Sequence, residues 1–172
     1  MNPWKMSLTV VVWLGCGAAS IQAAPNGDQP ALWTQLPRSA TRGALLRVAR
    51  RALQRLESEE CRRVYSDFAD GQGRTLQANL DALGQTPSGY LRMILFADGS
   101  RKDRCQKEPV LAVTSAGSRV VYLCAERFER GARQNPTHAA ATLIHETLHT
   151  LGLGENPPTS NQITDGVLAR CR

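Results

Sequence analysis

The sequence predicts a small α+β domain with a short β-sheet, covering helices and disulfide staples. Three observations predict it. Apolar residues recur at three- and four-residue spacing in two segments (Leu45, Ala49, Ala52, Leu53, Leu56; then Ala141, Ile144, Leu148, Leu151), the mark of helices that bury one face. Shorter apolar runs bounded by Gly, Asp and Ser read as strands. Four cysteines remain once an N-terminal leader is set aside.

That leader is residues 1–23. Lys5 supplies a charged start, Met6 to Gly15 a short apolar run, and the small residues around Ala23 a cleavage site, the pattern of a secretory signal peptide. The run is short for a membrane span, so no stable insertion is expected after cleavage. Cys16 follows Trp13-Leu14-Gly15 and offers a lipoprotein box as the minor alternative, although Trp stands where such a box has Leu. The expected destination is secreted or periplasmic.

In that compartment Cys61, Cys105, Cys124 and Cys171 are expected to form two disulfides. Three connectivities are open. Cys105 and Cys124 bracket a hairpin, which leaves Cys61 to tie the first long helix to the C-terminus. No C-x-x-C spacing supports metal ligation by cysteine. Loss of Lys5 lowers the net charge from +6 to about +5. The excess lies largely on one helix face, through Arg42, Arg47, Arg50, Arg51 and Arg55, without aromatic interleaving. This is the pattern of a solvated face, and no nucleic acid is expected as partner.

Residues 24–40, with Pro25, Gly27 and Pro30, read as a flexible polar leader, and residues 41–172 as a single domain. A long helix is expected over 41–67 and a shorter one over 75–83, stopped by Gly84. The apolar run 90–96 before Asp98-Gly99 reads as a buried strand. Runs 110–114 and 119–124 flank Ser115-Ala116-Gly117-Ser118 and read as a β-hairpin. A last helix is expected from Ser160 to Arg170, capped by Ser160 or Asn161.

Between the hairpin and that last helix, Asn135 and Pro136 make a good helix start, and Gly152 a natural stop. Inside lies His145-Glu146-Thr147-Leu148-His149. Residues four apart share a helix face, so His145 and His149 can reach one metal ion. Glu146 lies about 100° round and can address a water on that ion without taking a ligand position. A left-handed glycine at 152 would return Glu155 toward the histidines as third ligand. Asp165 is the rival third ligand. His138 shares the face, about 10 Å up the helix axis.

The stretch His145-Glu146-x-x-His149-x-x-Gly152-x-x-Glu155 resembles the zincin metallopeptidases, and specifically the metzincin signature with Glu for its third His. The run 148–158 also resembles a group of small secreted bacterial proteins of metallopeptidase type. The resemblance implies a zincin-like fold, Zn²⁺ held by His145, His149 and Glu155, Glu146 as general base, and a peptide or protein substrate. In zincins the strand before the active-site helix runs along the cleft edge and pairs with extended substrate. The resemblance assigns that role to 119–124, with Val120, Val121 and Tyr122 at its centre; an ordinary inner strand is the alternative reading. Two features depart from the pattern: no methionine follows Met93 to make a methionine turn, and Thr147 stands where zincins carry a bulky apolar residue. A secreted metal-binding module without catalysis is the second function these residues allow.

Overall fold

A computed structural model describes residues 30–107 and 109–172; the expected signal peptide and Cys16 lie outside the described residues. The fold is α+β. Four strands, β1 (Trp33–Gln35), β2 (Leu95–Asp98), β3 (Ala112–Val113) and β4 (Val120–Leu123), form one sheet in the order β1-β2-β4-β3. β1, β2 and β4 are parallel, and β3 returns antiparallel to β4 through the expected hairpin, whose Gly117 takes a φ of 77°.

Helices α1 (Ser39–Leu56), α2 (Glu59–Arg62), α3 (Val64–Asp67), α4 (Leu76–Ala82) and α5 (Pro87–Arg92) connect β1 to β2. Helices α6 (Ala125–Gln134), α7 (Pro136–Thr150) and α8 (Ser160–Arg170) follow β4. α7 is the central element: it packs against α1, α6 and α8 and reaches strands β3 and β4. Residues Ala139 to Ala141 and Leu143 to Thr150 are all buried, so this helix carries both core and site.

Four expectations need correction. The segment 24–40 is not wholly a flexible leader, because Trp33–Gln35 pairs with Leu95–Ala97 and Leu36 is buried. Three residues between prolines carry little strand signal of their own; the pairing partner supplies it. The helix expected over 41–67 breaks after Leu56, where the Ser58 side chain accepts from the Cys61 N–H and starts a new turn. The run 90–96 is helix first and strand second, since Thr86 caps and Pro87 opens α5, leaving only Leu95 onward for β2. Finally, α6 was not anticipated. Its charged sequence buries only Ala125, Phe128 and Glu129, and the Glu129 carboxylate accepts from the Thr41 hydroxyl at 2.6 Å.

Both expected disulfides are present, Cys61–Cys171 across 110 residues and Cys105–Cys124 across 19. They fit an oxidising environment. No helix among the described residues is long and apolar enough to cross a membrane.

Candidate metal centre

The geometry begins with how α7 starts and stops. The Asn135 side chain accepts from the His138 N–H, and Pro136 stands at the first turn. At the other end Gly152 adopts a φ of 107°. Its N–H bonds the His149 carbonyl at 2.9 Å, and the Leu153 N–H bonds Leu148 at 3.2 Å, a Schellman closure that only a left-handed residue allows. The hairpin turn adds a second donor to the same carbonyl, from Gly117 N–H at 2.9 Å.

This reversal brings Glu155 back over the histidines. One donor atom each from His145, His149 and Glu155 lies within 4.8 Å of the others. The His145 and His149 Nε2 atoms are 2.9 Å apart, and His149 Nε2 is 3.5 Å from Glu155 Oε1. Asp165 is exposed on α8 and outside this cluster, so among the described residues Glu155 is the carboxylate that joins the histidines. His138 lines the cleft wall farther up α7 and is likewise outside the cluster.

The hydrogen bonds on the far side of each ring test whether a cation fits. His149 Nδ1 is 2.7 Å from the Leu153 carbonyl, which can only accept, so Nδ1 carries the proton and Nε2 is a bare lone pair. That lone pair points at His145 Nε2, whose own Nδ1 lies 2.9 Å from the Thr164 hydroxyl. A hydroxyl can donate or accept. His145 can therefore put a proton on Nε2, bridging the rings, or on Nδ1, leaving two lone pairs converging with a carboxylate oxygen. The second arrangement is a nitrogen, nitrogen, oxygen donor set of the kind that suits zinc. Burial and the neighbouring His149 push His145 down to about 4, which keeps the ring neutral, as ligation requires. These residues fit a divalent cation.

Glu146 stands apart. It is buried, its Oε2 makes no hydrogen bond, and burial with the nearby Glu155 pushes it up to about 8, against the opposing pull of Arg104 and the Thr114 backbone N–H. A buried carboxyl oxygen without a partner is costly to structure.

All four residues face one cleft of about 520 Å³. The segment Val110 to Thr114 forms one wall, Ser160, Asn161 and Thr164 the other, and Arg104 and Gly154 lie near Glu155. The strand expected to border the cleft is corrected by the sheet order. β4, with Val120, Val121 and Tyr122, is an inner strand: it pairs with β2 along Val120–Leu123 and with β3 at Tyr122 and Leu123. The edge beside the cleft is β3. Sequence reasoning also missed Arg104 and Thr164. Thr164 is the neighbour of the proposed Asp165, one position round the same helix.

Thr147, the departure from the zincin pattern, faces the core. Its hydroxyl donates to the Leu143 carbonyl at 2.7 Å, and it moderates the upward push that burial exerts on the Tyr65 phenol. No protein-family model, curated protein or solved structure matches the chain.

Proposed function

We propose that the chain is a zinc-dependent peptidase of zincin type. The observation that carries this reading is the convergence of His145 Nε2, His149 Nε2 and a Glu155 oxygen in a cleft, beside the buried Glu146, whose Oε2 has no hydrogen-bond partner. No fourth protein donor joins the three among the described residues, which favours an open, catalytic coordination over a closed structural one.

His145, His149 and Glu155 would hold the ion. When bound it supplies a Lewis acid that polarises a carbonyl and lowers the pKa of water. Glu146 supplies the proton traffic: its carboxylate takes a proton from the attacking water and gives it to the departing amine. The place of β3 at the end of the sheet, lining the cleft, supports an extended peptide as substrate, because an edge strand can accept a further strand from another chain. The Leu153 carbonyl and the Thr164 hydroxyl keep the two imidazoles oriented throughout.

The test is elemental analysis of the oxidised chain beside its His145→Ala variant, followed by peptide hydrolysis. About one zinc per chain, lost in the variant, with hydrolysis that disappears in Glu146→Gln, supports the reading. Absence of metal after zinc has been offered would end it.

A further inference from the structure

Glu155 is an unusual ligand candidate because it lies in the loop after α7 rather than on a helix or strand. It follows exposed Gly154, around which a Cβ would meet nothing, and its side chain is 24% exposed. Beyond the contact to His149, the bond that fixes it is from Arg104: Nη2 donates to Glu155 Oε2 at 3.0 Å, leaving Oε1 to face His149 Nε2. The two carboxylate oxygens are thus divided between a guanidinium and the imidazole cluster.

Arg104 is in turn held from behind. It lies on a short 3₁₀ turn, Asp103–Gln106, whose next residue, Cys105, is bonded to Cys124 at the N-cap of α6. Arg127 of α6 donates to the Cys105 and Lys107 carbonyls, and Gln106 donates to Ser100 at 2.7 Å. The Cys105 sulfur also packs where a Cβ on Gly99 would come within 3.0 Å. The turn is therefore fixed to α6 and to the end of β2, and α6 leads directly into α7.

We infer that Arg104 is the positioning residue of the third metal ligand, and that the Cys105–Cys124 disulfide belongs functionally to the metal centre because it holds the turn that carries Arg104. This rests on the cluster being a zinc site. With the disulfide open, the turn loses its covalent tie, Arg104 no longer presents a fixed donor, and Glu155 returns to solvent. Metal affinity is then conditional on oxidation, and a chain still in a reducing compartment holds zinc weakly.

The experiment is zinc competition against a chromophoric chelator, with the Co²⁺ absorption spectrum as a second readout, on the full oxidised domain. Arg104→Ala should weaken zinc about 10- to 100-fold, the effect expected for a residue that orients a ligand, and Arg104→Lys should restore much of it. The Cys105→Ser/Cys124→Ser pair should weaken zinc to a similar degree, and combining it with Arg104→Ala should add little, since both act through one contact. The Co²⁺ bands should shift in the same variants, while unfolding of the metal-free Arg104→Ala chain stays as in the parent. Parent-like affinity and spectrum in Arg104→Ala, or full additivity of the two changes, overturns the inference while leaving the zinc site standing. A parent chain that binds no zinc overturns both.

Discussion

The two faces of α7 obey different rules. Toward the core the hydroxyls of the helix itself are satisfied: Thr147 donates to Leu143 and Thr150 to Thr147, each at 2.7 Å, and the Tyr90 hydroxyl donates to the Thr150 carbonyl at 3.2 Å. Toward the cleft, Glu146 Oε2 is buried without a partner and two imidazole nitrogens converge. The same helix shows both faces, so composition or poor packing does not explain the difference. Local rules are broken on the face that lines the cleft.

The largest effect that would sharpen this contrast is on the cleft side. Glu146→Gln should lower hydrolysis by at least about 10²- to 10⁴-fold while zinc content stays near one per chain, read by peptide cleavage and elemental analysis. Its mirror on the core side is Leu143→Ala, which removes a fully buried side chain and should cost about 2–5 kcal/mol in denaturant unfolding. The folded fraction of that variant should keep parent zinc affinity; a large loss would break the separation of the two faces.

A smaller effect lies in pH. In the metal-free chain Glu146 rises from an ordinary 4.5 to about 8, so between those values the folded state holds more protons than the unfolded and stability falls as pH rises. His145 drops from 6.5 to about 4, and in that window it acts with the opposite sign. The two oppose below 6.5, leaving a decline from about 6.5 to 8 of up to about 1.4 kcal/mol per pH unit. Thermal unfolding of metal-free Glu146→Gln should lack that decline. The smallest change is Thr147→Val, about 1 kcal/mol lost in chemical denaturation, with unchanged metal binding, because the contacts of its hydroxyl, to Leu143 and Tyr65, lie in the core.

The same contrast explains what the sequence made legible. α7 was readable from end to end because its cap, its proline and its stop are local: Asn135, Pro136 and Gly152 each do what their chemistry dictates. Glu155 was readable because it hangs from that stop by a short tether. α8 was expected over its full length, with its cap one residue early, since Thr159 rather than Ser160 accepts the Gln162 N–H. The apolar run 90–96 misled because such runs suit helix and strand alike, although Thr86-Pro87 carried the same start signal as Asn135-Pro136. β1 could not be read locally, since its partner β2 lies far along the chain. Arg104 and Thr164 reach the cluster across 51 and 19 residues of sequence, by tertiary contacts that no spacing announces.

The glycine turn at 152 has one more consequence, for motion. Helix ends ordinarily fray at little cost. Here the closing bonds at Gly152 and Leu153 also set the acceptor behind His149 and the approach of Glu155, so the last turn of α7 cannot loosen without dismantling the cluster. Those two amides become natural reporters: their hydrogen exchange should slow when zinc is added, by a factor that tracks occupancy, so the site can be followed without any substrate.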